Sequence, residues 1–101
     1  EETFAPIVSI VSYETLDEAI AHVNNSNLGL NAGIYTNVLT DAMRAADELE
    51  AGAVIINDIP TFRVDHMPYG GVKMSGYGKE GIKYAVEEMT NLKFITIKTI
   101  F

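Results

Sequence analysis

The sequence predicts an α/β fold, in which helices pack on a mostly parallel sheet. Three short runs of β-branched and apolar residues, at 7–13, 30–35 and 53–56, alternate with two segments whose apolar residues recur at helical spacing. This β-α-β-α-β order is typical of parallel sheets, because each helix carries the chain back to the start of the next strand. A length of 101 residues allows one domain with a modest core.

The first helix has a recognisable start. Residues 7–13 (IVSIVSY) alternate as a strand does, and Thr15 and Glu18 then match a capping box. In that motif the Thr15 hydroxyl accepts from the Glu18 amide, while the Glu18 carboxylate reaches back. The apolar stripe that follows consists of Leu16, Ala19, Ile20 and Val23. The polar run at 24–27 (NNSN) is expected to end the helix.

The second half of the alternating pattern predicts a strand, a helix and a further strand. The strand spans 30–35, and Asn37 or Thr40 is the expected cap of the next helix. Gly52 stands where the end of a helix favours a left-handed residue. Residues 53–56 (AVII) are continuously apolar, which predicts a strand buried on both faces.

A long irregular segment follows the third strand. Residues 57–78 contain two of the three prolines and four of the eight glycines, without clear periodicity. A loop of this length in a compact domain is usually functional. Residues 79–89 then predict a helix and 92–100 a final strand. The apolar face of this last helix consists of Ile82, Ala85, Val86 and Met89.

Composition excludes several classes of function. The net charge of −7 disfavours nucleic-acid binding, and no run is long enough for a membrane span. Without cysteine these residues have no disulfide, thiolate metal site or cysteine nucleophile, and a cytoplasmic location is expected. His22 and His66 lack neighbours at metal-ligand spacing, so no metal site is predicted.

Residues 76–81 (GYGKEG) match the G-x-G-x-x-G pattern of dinucleotide-binding loops. That interpretation requires a strand just before the loop and an acidic residue about 20 positions after it. Neither is present, since Phe101 stands 20 residues after Gly81. These glycines are better explained by tight turns, and a small nucleotide-binding module is a distant alternative.

Four segments in fixed order resemble the C-terminal part of the aldehyde dehydrogenase superfamily. They are EETFAP at 1–6, Asn57 after the third strand, PYGGVKMSG at 68–76 and EEMT at 87–90. The resemblance covers essentially the whole chain. The run FRVDHMPY at 62–69 looks most like bacterial and archaeal members near the lactaldehyde and succinate-semialdehyde dehydrogenases.

The resemblance implies a larger protein in which three segments of this sequence belong to different structural parts. Residues 1–75 would be the end of a catalytic domain, and 76–90 a loop and helix returning to a cofactor domain. Residues 91–101 would be an oligomerisation strand that adds to the sheet of a neighbouring subunit in a homodimer or tetramer.

The resemblance also assigns binding roles. Glu2 would hold the hydroxyls of the nicotinamide ribose of NAD or NADP, and Phe4 would lie beside the nicotinamide. Ala5 replaces the usual glycine of that motif. Phe62 and Tyr69 would form aromatic walls of an aldehyde tunnel, where they exclude water.

Arg63 admits two interpretations from the residues alone. It lies in the predicted substrate loop, where a guanidinium can bind a carboxylate on an acidic aldehyde by two hydrogen bonds. Pairing with Asp65, which would fix the loop, is the favoured interpretation.

In this family a cysteine attacks the aldehyde and a glutamate later activates water. The resemblance places both upstream of these residues, so no catalytic residue is predicted here and the chain alone is expected to be inactive. The alternative is a stand-alone α/β binding or structural module that oligomerises through its C-terminal strand.

Overall fold

The computed structural model describes residues 3–100 and shows a small α/β unit with two long terminal arms, residues 3–13 and 90–100, which contain no helix or strand. Seven elements follow one another along this part of the chain: α1 (Leu16–Asn24), β1 (Leu28–Gly29), β2 (Asn31–Ile34), α2 (Leu39–Glu48), β3 (Ala53–Ile56), β4 (Val72–Lys73) and α3 (Ile82–Met89).

A parallel pair of strands forms the centre of the fold. β2 and β3 pair in parallel, with Asn31 opposite Ala53 and Ile34 opposite Ile56, and α2 connects them. This is the β-α-β unit that the alternating pattern predicts. β1 and β4 form a second, antiparallel pair of two residues each. β3 is only half buried, so the prediction that it is buried on both faces is wrong for these residues.

The capping box of α1 is confirmed in its main feature. The Thr15 hydroxyl accepts from the Glu18 amide at 3.2 Å, and a Glu18 carboxylate oxygen accepts from the Glu14 amide at 2.9 Å. The carboxylate therefore reaches one residue further back than the motif requires. The first bond satisfies a backbone donor that the first turn leaves free, and the second satisfies the amide of Glu14, which precedes the helix.

The predicted ends of α2 are wrong. The helix starts at Leu39 after Val38, so Asn37 stands too early to cap it and Thr40 lies within its first turn. At the other end the helix stops at Glu48, and Gly52 is not in a left-handed conformation. Glycine is needed at residue 52 because a Cβ there would overlap the backbone carbonyl of Gly70.

Polar contacts join α1 to α2. Arg44 of α2 donates to Asp17 of α1 at 2.6 Å and to Glu48 at 2.8 Å. The hydrogen bond from Glu48, and then that from Asp17, raises the pKa of Arg44 above its ordinary value. Asn24 at the end of α1 donates to the Glu48 carbonyl at 2.7 Å and accepts from the Glu50 amide at 2.9 Å.

Neither terminal strand prediction agrees with the structure. Residues 7–13 and 92–100 form no strand among the residues described. A strand requires the edge of another strand for its backbone hydrogen bonds, and no such edge within residues 3–100 pairs with either segment. Their apolar side chains are exposed, including Ile10 at 90% and Phe94 at 90%.

The buried core of residues 3–100 is very small. Its apolar members are Ile20, Ala42 and Ala45. The radius of gyration is 19.2 Å, against about 13 Å for a compact chain of this length. The apolar face of α3 is exposed as well, with Ile82 at 80%. A chain with so little buried apolar area lacks the main favourable contribution to folding.

We therefore expect the isolated 101-residue polypeptide to lack a cooperative unfolding transition or to self-associate through its exposed apolar segments. Thermal denaturation followed by circular dichroism, together with sedimentation velocity, checks this. A monomer that unfolds in one sharp transition would contradict the expectation. A discrete oligomer that unfolds in one sharp transition would instead favour the stand-alone module.

Candidate functional site

The structure brings the three predicted substrate-loop residues into one cleft. Phe62, Arg63 and Tyr69 line a cavity of about 170 Å³ beside Asn31 and Ala53, the paired first residues of β2 and β3. The rest of the lining comes from the same loop: Thr61, Met67 and Pro68. The cleft is thus bounded by the long irregular loop on one side and by the amino ends of the parallel strands on the other.

Arg63 stacks on an aromatic ring. Its guanidinium carbon lies 4.3 Å from the centroid of the Tyr69 ring, which is the geometry of a cation–π contact. The favoured pairing of Arg63 with Asp65 is wrong, because no ion pair joins them in the described part of the chain. Stacking occupies one face of the guanidinium and leaves its N–H edge able to donate to a ligand.

The first part of the loop folds back over the sheet. Asn57 follows β3 in a left-handed conformation, with φ 61°. A Cβ at Gly33 of β2 would lie 3.2 Å from the Asp58 carbonyl oxygen and 3.2 Å from Pro60 Cγ, so the loop lies directly on that strand. The loop then turns, with the Phe62 amide donating to the Ile59 carbonyl at 3.0 Å. This path leads from the carboxyl end of the strands to the cleft at their amino end.

The second part of the loop is held by backbone contacts. Tyr69 and Glu80 exchange both backbone hydrogen bonds, at 3.0 and 2.5 Å. Lys79 donates to the Gly70 carbonyl at 3.0 Å. A Cβ at Gly52 would overlap that same carbonyl, so only glycine allows the loop to approach so closely.

Lys73 fixes the far end of the loop and was not among the residues predicted to be functional. It adopts φ 55°, which is unusual for lysine. Its ammonium donates to the carbonyls of Asn24 and Ser26 at 2.8 and 3.0 Å and pairs with Glu50 at 2.5 Å. The sequence signal was its place in the G-G-x-K-x-S-G run.

The two predicted cofactor residues have different outcomes. Glu2 lies outside the described residues. Phe4 is described and is 91% exposed, and it is not part of the cleft lining.

Other site classes find little support. The Ser75 hydroxyl accepts from the Gly29 amide at 2.8 Å, so it serves as a structural acceptor. Within residues 3–100 no group of three or more His, Cys, Asp or Glu side chains could hold a metal ion. Over the same residues no helix has the length and apolar character that crossing a membrane requires.

Comparison with known sequences gives one family. A model of the aldehyde dehydrogenase family matches residues 1–95. The chain is 56% identical over 97 residues to a 3-sulfolactaldehyde dehydrogenase of Priestia aryabhattai, covering 96% of this chain and 20% of that protein. It is 54% identical over 99 residues to a lactaldehyde dehydrogenase of Methanococcus maripaludis, covering 98% and 21%. The chain therefore spans about a fifth of the length of these relatives.

Solved structures agree in fold. A salicylaldehyde dehydrogenase of Pseudomonas putida G7 matches all of this chain and 21% of its own length, at a TM-score of 0.85 and 35% identity. The aldehyde dehydrogenase 21 of Physcomitrella patens, in complex with its product succinate, covers 76% of this chain and 16% of its own at TM-score 0.74 and 47% identity.

A third structure contains a dinucleotide. It is a glyceraldehyde-3-phosphate dehydrogenase of Methanocaldococcus jannaschii complexed with NADP, at TM-score 0.73 and 49% identity, covering 76% of this chain and 17% of its own. The family model and relatives that share over half of their aligned residues with this sequence show that the chain belongs to the aldehyde dehydrogenase family.

Proposed function

We propose that these residues form the substrate-loop part of an NAD(P)-dependent aldehyde dehydrogenase that oxidises an aldehyde bearing an acidic group to a carboxylic acid. The aldehyde would be held as a thiohemiacetal on a cysteine outside these 101 residues. On this proposal the chain by itself is inactive, because it contains no cysteine.

The observation that carries the proposal is the cleft beside Arg63. The guanidinium is stacked on Tyr69 and forms no ion pair within residues 3–100, so its N–H groups are free to donate to an anion. A planar guanidinium matches two oxygens of a carboxylate, sulfonate or phosphate. The stacked ring fixes the direction of the guanidinium, which lowers the entropy lost on binding.

The names of the relatives are divided between acidic and uncharged compounds. Sulfolactaldehyde, glyceraldehyde-3-phosphate and succinate each carry an acidic group beyond the reacting carbon. Lactaldehyde and salicylaldehyde carry no carboxylate, sulfonate or phosphate. The proposal for this chain follows the first three because of Arg63.

Phe62 and Tyr69 complete the proposed tunnel. Phe62 is 46% exposed in this chain and lines the cleft opposite the sheet. Aromatic side chains in such a position exclude water, and they strengthen the attraction between Arg63 and an anion by lowering the local dielectric.

Glu2 and Phe4 are proposed to bind NAD or NADP. A carboxylate at residue 2 would accept hydrogen bonds from the ribose hydroxyls. The exposed ring of Phe4 is available to lie beside the nicotinamide. The cofactor would supply hydride acceptance, and these two side chains would orient it.

The arms and α3 are proposed to be contact surfaces. Residues 1–75 would belong to the catalytic domain, and the apolar face of α3, within 76–90, would pack on the cofactor domain. Residues 91–101 would pair with the sheet of a second subunit. Support comes from the unpaired backbone and exposed apolar side chains of residues 92–100.

For the substrate, we expect Arg63→Met in the complete enzyme to raise KM for an acidic aldehyde about 10- to 100-fold, because a charged hydrogen bond is lost. KM for an uncharged aldehyde of similar length should stay within about twofold. Steady-state kinetics with both substrates measures this. Lys83→Met removes an exposed cation outside the cleft and serves as the control. Equal changes for both aldehydes would contradict the assignment.

For assembly, we expect Ile97→Glu in the complete enzyme to shift the protein toward smaller species, because a buried charge in a paired strand is costly. Sedimentation velocity measures the oligomeric state. Lys98→Glu is the neighbouring control, since adjacent side chains of a strand point to opposite faces. An unchanged oligomer in Ile97→Glu would contradict the proposed pairing.

A further inference from the structure

Two residues other than glycine adopt a left-handed conformation in the described part of the chain. They stand at the two ends of residues 57–73, the part of the irregular segment that forms the substrate loop. Asn57, with φ 61°, directly follows β3, and Lys73, with φ 55°, ends β4. Between them lie all the cleft-lining residues that the loop contributes. Left-handed backbone at residues with side chains persists only where the surroundings hold it, and it concentrates at functional sites.

Asn57 joins the loop to both parallel strands. Its amide donates to the Ile34 carbonyl at 2.8 Å, which extends the ladder between β2 and β3 by one bond. Its side-chain carbonyl accepts from the Thr36 amide at 2.8 Å. Asparagine is among the few residues that adopt this backbone conformation readily. The turn at 57 is therefore fixed in direction by two strands at once.

That direction determines where the loop goes next. The chain leaves Asn57, lies on Gly33 through Asp58 and Pro60, and turns at 59–62 to present Phe62 and Arg63. Only four residues separate Asn57 from Phe62. A rotation at residue 57 is thus passed along a short, proline-containing segment to Arg63.

The other end of the loop is independently fixed. Lys73 is tied to the end of α1 and to Glu50, and Tyr69 is bridged to Glu80. A change at residue 57 would therefore move Arg63 relative to Tyr69, because only one side of the cleft would shift. Such a movement would lengthen or misalign the 4.3 Å stacking contact and change the direction of the guanidinium.

We propose that Asn57 is a positioning residue that aims Arg63 at the anionic end of the substrate and so sets selectivity for acidic over uncharged aldehydes. The proposal rests on the proposed function of Arg63. Asn57 acts through the loop and touches no substrate.

The test compares Asn57→Gly and Asn57→Asp with the wild-type complete enzyme. Glycine keeps the left-handed backbone and removes the bond to Thr36, whereas aspartate keeps both. We expect Asn57→Gly to raise the ratio of KM for an acidic aldehyde to KM for an uncharged one by about tenfold, and Asn57→Asp to restore that ratio to within about threefold of wild type. Asn57→Ser, whose side chain is shorter, replaces Asn57→Gly if the latter is insoluble.

A purely structural role would lower the melting temperature and the active fraction, which reduces kcat for both aldehydes and leaves the KM ratio unchanged. That result in an active enzyme would overturn the role of Asn57 and leave the proposed function intact. A wild-type enzyme that oxidises no aldehyde would overturn both. A wild-type enzyme with no dependence on Arg63 would remove the acidic substrate, and the inference with it.

Discussion

The contact between Gly52 and Gly70 is the constraint on which the site depends. Gly52 precedes β3, and Gly70 lies in the loop between Tyr69 and β4. Their backbones approach so closely that no side chain fits at 52. Because of this approach the loop lies against the first residues of the parallel strands, and the cleft forms between them. Any separation of the two backbones would open the cleft and release Tyr69.

A second constraint is the small size of the hydrophobic core. Residues 3–100 bury few apolar side chains, while both arms and one face of α3 are exposed. The β-α-β unit is tied together mostly by polar contacts at Arg44, Asn24 and Lys73. Exposed polar contacts contribute little stability individually. In the proposed complete enzyme the missing apolar contacts would come from other domains and subunits, which would account for a precise loop on so small a core.

Local sequence signals predicted the parts of the fold that local contacts determine. The capping box at Thr15 was sufficient because its partner Glu18 is three residues away, and the strand β3 was found because one helix connects it to its parallel neighbour β2. Residues 7–13 and 92–100 have the pattern of strands, but that pattern carries no information about a partner outside residues 3–100. Gly52 was assigned to a helix end, since sequence shows the glycine without showing whether it serves conformation or close approach.

The sequence predicted which loop residues form the candidate site, but it did not predict which groups they contact. Phe62, Arg63 and Tyr69 were identified from the loop and the family resemblance, and the structure places them in one cleft. The choice between Asp65 and a ligand as the partner of Arg63 depended on the loop path, which two left-handed residues define. The sequence marks Asn57 only as part of the family resemblance, and its proposed positioning role rests on the bond that its side chain accepts from the Thr36 amide.

The most direct measurement is a crystal structure of the complete enzyme with NAD(P) and the acid product of its substrate. We expect the anionic end of the product at about 2.8 Å from the Arg63 guanidinium, with that guanidinium still stacked on Tyr69. Glu2 would then contact the ribose of the cofactor. An anionic end bound elsewhere, with Arg63 paired to a protein carboxylate, would show that Arg63 does not bind the acidic group of the substrate.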